Sequence, residues 1–199
     1  MLNIFTFLLD VLFPPRDGEL LVRRITDVTL ASLYIPSRHL NIEYISHFQS
    51  PTIRALITEN KYYANMRATT LLAALLAMHI KRKERSVCIA IPLHPKRERE
   101  RGYNQVTVVL ERSGCVIGRN LITRSTFASS QTKLQKRERL ENIKGAFTVN
   151  ETRLREYKNT HFILVDDVVT TGATMTAARA ALAAHLDHTC TLTCLALAH

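Results

Sequence analysis

The stretch HFILVDDVVTTGATMT, residues 161–176, decides the fold. Four apolar residues, Phe162 to Val165, run into the adjacent carboxylates Asp166 and Asp167, and after Val168 and Val169 come Thr170, Thr171, Gly172, Ala173 and Thr174. A continuous apolar run this short reads as a strand buried on both faces. Beyond it Met175, Ala178, Leu182 and Leu186 recur at helical spacing, and the alanines among them favour a helix over Ala173 to Leu186. The segment is strand, loop, helix, and it delivers two carboxylates to the strand's carboxyl end, which is where open α/β sheets bind ligands.

The loop suits a phosphate monoester. Gly172 lets the backbone approach an anion closely. The helix amino end offers unpaired N–H groups and partial positive charge, and the hydroxyls of Thr170, Thr171 and Thr174 add donors. Two neighbouring carboxylates repel each other, so keeping both ionised there calls for a cation or several hydroxyl donors. A ribose diol and a magnesium ion would supply both.

Working outward, Val87 to Ile91, ended by Pro92, and Thr191 to Ala198 read as two more buried strands. Strand, helix, strand in this order predicts parallel crossovers and a sheet covered on both faces. Between Thr52 and Arg82, Ile53, Leu56 and Ile57 form one helical stripe and Leu72, Leu75, Leu76 and His79 another, with a break near Asn60. Thr26 to Ile35 has the Thr, Val, Leu and Tyr content of one or two short strands, stopped by Pro36. The expected architecture is an α/β domain over residues 51–199, an open and mostly parallel sheet flanked by helices. Residues 1–50 precede it as a helix and a small hood-like or docking appendage.

With 199 residues the chain can bury one substantial core. Lys and Arg number 27 against 17 Asp and Glu, a formal net charge of +10 that favours anionic partners. Cys88, Cys115, Cys190 and Cys194 lack the spacing of a disulfide framework, so a reducing, cytoplasmic setting is expected. Met1 to Phe13 is apolar but has no basic leader and is too short to span a bilayer.

Val165 to Thr174 resembles the phosphoribosyl pyrophosphate motif of type I phosphoribosyltransferases. That resemblance implies their fold, gives Asp166 and Asp167 the ribose hydroxyls in the catalytic centre, and gives Thr170, Thr171, Gly172, Ala173 and Thr174 the 5-phosphate. Purine-salvage members commonly carry an acid where this chain has Thr170, which leaves the acceptor open. Two more blocks resemble the ComF (competence protein F) branch of the superfamily. The first is Ile91, Pro92, Leu93, His94, Pro95 followed by Lys96, Arg97, Arg99, Arg101, Gly102, Tyr103, Asn104 and Gln105. The second comprises Gln131, Leu134, Arg139, Asn142, Gly145, Ala146 and Phe147.

The cations Lys96, Arg97 and Arg101 suit a pyrophosphate leaving group, since two phosphates need several positive neighbours. Arg97 and Arg101 would share a helical face, while Glu98 and Glu100 between them also fit a self-compensating surface. His94, Asn104, Gln105, Arg139 and Asn142 are further substrate contacts on this reading. Many ComF proteins hold zinc through cysteine pairs after an amino-terminal Pro-Pro. Here Pro14 and Pro15 lead into Asp17 and Gly18, and no cysteine precedes Cys88, so no zinc is expected.

The leading expectation is an enzyme that transfers the phosphoribosyl group of phosphoribosyl pyrophosphate, with magnesium, to an unknown acceptor. A protein of different class, binding single-stranded DNA alongside competence machinery, is the alternative. Its salt dependence would be steep, although the aromatics are few and stand apart from the basic runs in sequence. A phosphoribosyl sensor without turnover is a third reading, and a homo-oligomer is compatible with all three.

Overall fold

The computed structural model describes residues 10–80, 86–124 and 145–199. In chain order its strands are β1 (Ser37–His39), β2 (Ile42–Ser46), β3 (Ser86–Ala90), β4 (Val116–Ile117), β5 (Ile122–Arg124), β6 (Phe147–Val149), β7 (His161–Val168) and β8 (Thr191–Ala198). The helices are α1 (Asp17–Arg23), α2 (Asp27–Ser32), α3 (Pro51–Tyr63), α4 (Met66–Ile80), α5 (Pro95–Arg101), α6 (Gln105–Ser113), α7 (Glu151–Leu154) and α8 (Ala173–Ala183).

Six strands form one sheet in the order β1-β2-β8-β7-β3-β4. All neighbours pair in parallel except β1 with β2, which makes a mixed and mostly parallel sheet. From β3 the chain crosses to β4 on one side, whereas β7 lies on the other side of β3. The strand order therefore reverses between β3 and β7, and the crevice outside their carboxyl ends is the natural ligand position of such a sheet.

Alternation along β7 divides the core in two. Ile163 and Val165 enter one cluster with Leu56, Leu72, Leu76, Val109 and Leu110, so α3, α4 and α6 cover that face. Phe162 and Leu164 enter the other with Met175, Ala178 and Leu182 of α8 and with Ile122 and Phe147 of the β5-β6 hairpin. Successive residues of a strand point to opposite faces, and both faces here are apolar because both are covered. Cys194 is part of this interior, and burial pushes its thiol up to about 11.

The three buried runs are strands and Ala173 begins a helix, as expected from the sequence. The break between α3 and α4 falls at Ala64, in the left-handed region at φ 49°, with Asn65 accepting from the amides of Arg67 and Ala68 at 3.1 Å to start α4. One expectation is corrected. Thr26 to Ile35 is not strand: Asp27 to Ser32 is a helix, because the Thr26 hydroxyl accepts from the Thr29 amide and caps it. The stretch 17–46 also contributes to the main body, β2 pairing with β8 and Val22, Ile25 and Leu30 entering the core.

Candidate functional site

The same alternation that divides the core gives the two carboxyls different surroundings, although they touch each other. Asp167 continues the row of Ile163 and Val165 and is 5% exposed. Its Oδ2 accepts from Lys61 Nζ at 2.8 Å and from Gln105 Nε2 at 2.9 Å, and its Oδ1 accepts from the Val168 amide at 2.8 Å. Burial pushes its pKa up, but the Lys61 charge and these hydrogen bonds outweigh burial and hold the carboxyl below its ordinary value. Asp166 continues the row of Phe162 and Leu164. Burial first, and then the Asp167 charge, push it up to about 7.

Asp166 shares a small concavity of about 60 Å³ with Val168, Val169, Thr170, Thr171, Gly172, Ala173, Thr174 and Met175. Gly172 is the N-cap of α8 at φ 74°, a left-handed conformation, and no side chain caps the helix there. The first amides of α8 thus line the same hollow as the Asp166 carboxyl, with Thr170 and Thr171 exposed at its rim. The volume is that of a compact anion. The threonine loop is brought to Asp166 and not to Asp167.

The Pro-Leu-His-Pro block follows β3 directly and forms the opposite wall of the crevice. His94 is the N-cap of α5, its Nδ1 accepting from the Lys96 amide at 3.2 Å. Asn104 caps α6 by accepting from the amides of Val106 and Thr107, and its Nδ2 donates to the Ile91 carbonyl at 2.9 Å. Both polar side chains therefore fix the path of the chain around the strand end. Gln105 is buried in the Asp167 network. Arg139 and Asn142 lie outside the described residues.

Beside this wall, a cavity of about 460 Å³ opens at the ends of β3 and β4, with Pro92, Leu93, Asn104, Arg119, Thr123 and Arg124 among its lining residues. Among the described residues the Arg124 Nε is buried without a hydrogen-bond partner. Burial and then the charge of Arg97 hold the Arg124 guanidinium below its ordinary pKa, with Asp166 pulling the other way. Arg97, Arg124 and Asp166 are hence within electrostatic reach of one another at the crevice.

The cationic triplet also divides. Lys96 is exposed and sits 3.9 Å from Glu100 one turn on. Arg97 and Arg101, on one face of α5, line an open groove of about 860 Å³ together with Lys61, Tyr62, Tyr63, Ala64, Glu100 and Tyr103. Tyr62 and Tyr63, at the end of α3, are 65% and 50% exposed. The Arg101 guanidinium lies 5.6 Å from the Tyr62 ring centre and Arg16 lies 3.8 Å over Tyr63, the geometry of cation–π pairs. The Tyr103 hydroxyl donates to the Asn60 carbonyl at 2.6 Å and so fixes the loop after α5 against α3. Tyr62 and Tyr63 stand apart from the basic run in sequence, yet the fold brings them beside it. The signal available beforehand was Tyr103, inside the basic block itself.

A magnesium ion held by the carboxylate pair is not favoured by this arrangement. The Asp167 oxygens already accept from Lys61, Gln105 and the Val168 amide, and burial favours the neutral form of Asp166. A magnesium ion would have to arrive on the pyrophosphate of a donor. Among the described residues no helix is long and apolar enough to cross a membrane.

A scan against known protein families finds no match. Comparison with curated proteins finds DNA utilization protein YhgH of Salmonella typhi, 28% identical over 137 residues, 63% of this chain and 59% of that protein. Competence protein F of Haemophilus influenzae is 28% identical over 142 residues, 66% of this chain and 61% of its own length. The corresponding DNA utilization protein of Escherichia coli K12 is 26% identical over 137 residues. The chain spans about three fifths of the length of these curated relatives. The resemblance to the competence protein F group, read first from the blocks around Asp166, His94 and Gly145, is thus matched by relatives that carry the competence protein F and DNA utilization names.

Proposed function

We propose that the protein handles single-stranded nucleic acid, which it holds along the groove between α3 and α5. The observation that carries this reading is the interleaving of Tyr62, Tyr63 and Tyr103 with Arg97 and Arg101 in one open groove. Single-strand binders combine cations that track phosphates with aromatic rings on which bases stack. A duplex keeps its bases paired inside and cannot use exposed tyrosines in this way. The net charge of +10 favours a polyanion, and the DNA utilization and competence names of the relatives support the same class of partner.

The test is fluorescence anisotropy with a labelled oligothymidylate over a range of salt concentrations. The logarithm of the affinity should fall linearly with the logarithm of salt concentration, and duplex DNA of equal length should bind more weakly. Tyr62→Ala and Tyr63→Ala should each weaken binding about tenfold, the scale of one lost base stack. Binding that ignores salt, or tyrosine variants that bind like the wild type, would overturn the reading.

A second reading, a phosphoribosyl site, is favoured by a separate observation: the uncapped amino end of α8 opens into the hollow shared by Gly172, Thr170, Thr171 and Asp166. There the α8 amides and threonine hydroxyls would hold a 5-phosphate, and Asp166 would meet a ribose hydroxyl. Calorimetry with phosphoribosyl pyrophosphate, with and without magnesium, tests binding. Release of pyrophosphate across a panel of bases would mark a transferase, and binding without release would mark a sensor.

A further inference from the structure

Beneath the groove lies an ion pair that neither reading uses. Lys61, in the last turn of α3, lines the groove, yet its ammonium donates to Asp167 Oδ2 at 2.8 Å. Gln105 Nε2 donates to the same oxygen at 2.9 Å, and the Gln105 Oε1 accepts from Arg101 Nη1. Two of the three cations lining the groove are therefore tied, one directly and one through an amide, to a single buried carboxylate. Asp167 sits on β7 at the sheet end, and Lys61 and Arg101 sit on the elements that build the groove.

The Asp167 carboxylate has little access to water, so it holds its cation more firmly than an exposed acid would. A phosphodiester that enters the groove must compete with it for Lys61. The lysine side chain is 24% exposed and the aspartate side chain 7%, so the ammonium end is the member of the pair free to move. We infer that Asp167 is an autoinhibitory latch on the nucleic-acid groove: while its carboxylate holds Lys61, and Arg101 through Gln105, these cations are withheld from the phosphate backbone. Loss of the carboxylate charge, or its engagement by another ligand, releases them.

This inference rests on the nucleic-acid reading and adds its regulation. It differs in sign from a purely structural role. A pair that only pins α3 to β7 would, when broken, loosen the groove and weaken binding. A latch, when broken, tightens binding.

Asp167→Asn keeps the shape of the side chain and the acceptor for the Val168 amide but removes the charge. Gln105 can then turn its oxygen toward the new amide, which also frees Arg101. In the anisotropy titration, Asp167→Asn should bind oligothymidylate severalfold more tightly at low salt. The slope of log affinity against log salt should steepen by about 0.7 for each cation released to a single strand. Adding Lys61→Met in the same chain should bring the affinity below that of Asp167→Asn and take back about 0.7 of the slope, leaving only the share of Arg101. Asp167→Ser, which leaves a hydroxyl for the Val168 amide, should act in the same direction, and thermal unfolding confirms that each variant is folded. A folded Asp167→Asn or Asp167→Ser that binds no more tightly than the wild type overturns the latch while leaving the groove in place. A wild-type protein with no salt-dependent binding overturns the nucleic-acid reading, and the latch with it.

Discussion

Asp166 and Asp167 are neighbours in sequence with opposite electrostatic fates, and the cause is the two-residue period of a strand. Asp167 accepts from Lys61 and Gln105, while Asp166 accepts from the Asp167 amide and borders the hollow at the start of α8. That both acids stand at a strand end was legible in the sequence. Their different surroundings follow from the same alternation, but the identity of the partners does not, since Lys61 is 106 residues from Asp167. The Asp166 carboxyl is pushed up to about 7 by burial and by its neighbour, whereas in the unfolded chain it titrates near about 4. Between those values the native state keeps a proton that the unfolded state has lost, so this group's contribution to stability declines as pH rises from about 4 to about 7 and is constant above. Asp167 contributes in the other sense. Its lowered pKa gives stability that is present above the ordinary carboxylate value and lost as pH falls through its native value. Asp166→Asn should abolish the decline, so its gain in thermal midpoint over the wild type should be larger at about pH 8 than at about pH 5. An equal difference at the two pH values would count against a buried, neutral Asp166.

Among the elements, those set by continuous patterns were the readable ones. Apolar runs fixed β3, β7 and β8, and helical stripes fixed α3, α4 and α8, because both faces of the sheet are covered and each helix buries one side. The short α2 was not readable, since Thr and Val suit strands and only the Thr26 cap and its position over the α4 surface tip the balance. In the turn before α8, Gly172 carries a conformational demand. Its φ of 74° strains any side chain, although among the described residues a β-carbon there would meet Ile42 Cδ1 at 3.4 Å and Val169 Cγ1 at 3.9 Å without a clash. The cost of Gly172→Ala is then mainly backbone strain, about 1 kcal/mol, seen as a lower denaturation midpoint with an unchanged slope. Because the same turn aims the α8 amides into the hollow, the second reading expects this variant to lose affinity for ribose 5-phosphate in calorimetry by more than its stability loss would explain. An alanine variant that binds as the wild type does would detach Gly172 from ligand binding.

Across the whole molecule, topology joins what the sequence scatters. Tyr62 and Tyr63 precede Arg97 by more than thirty positions, and only the packing of α3 against α6 and the anchoring of Tyr103 to Asn60 bring these residues to one groove. No periodicity in the chain announces that meeting, which is why the basic block by itself fitted a pyrophosphate site and also a self-compensating surface. The same packing sets Lys61 between the groove and the sheet end, so two ligands of different kinds would share one ion pair. A ribose hydroxyl on Asp166 acts on Asp167 through the contact between the two carboxyls and so weakens the hold of Asp167 on Lys61, and thermodynamic linkage requires the effect to run equally in both directions. Ribose 5-phosphate should therefore raise the affinity of the wild-type protein for oligothymidylate, and oligothymidylate should raise the affinity for ribose 5-phosphate by the same factor. In Asp167→Asn, where Lys61 is already released, the coupling should vanish. Anisotropy titrations with and without the sugar phosphate measure one direction and calorimetry the other. A mutual loss of affinity would indicate that the two ligands compete for one site, and a coupling that survives Asp167→Asn would place its origin outside the Lys61 pair.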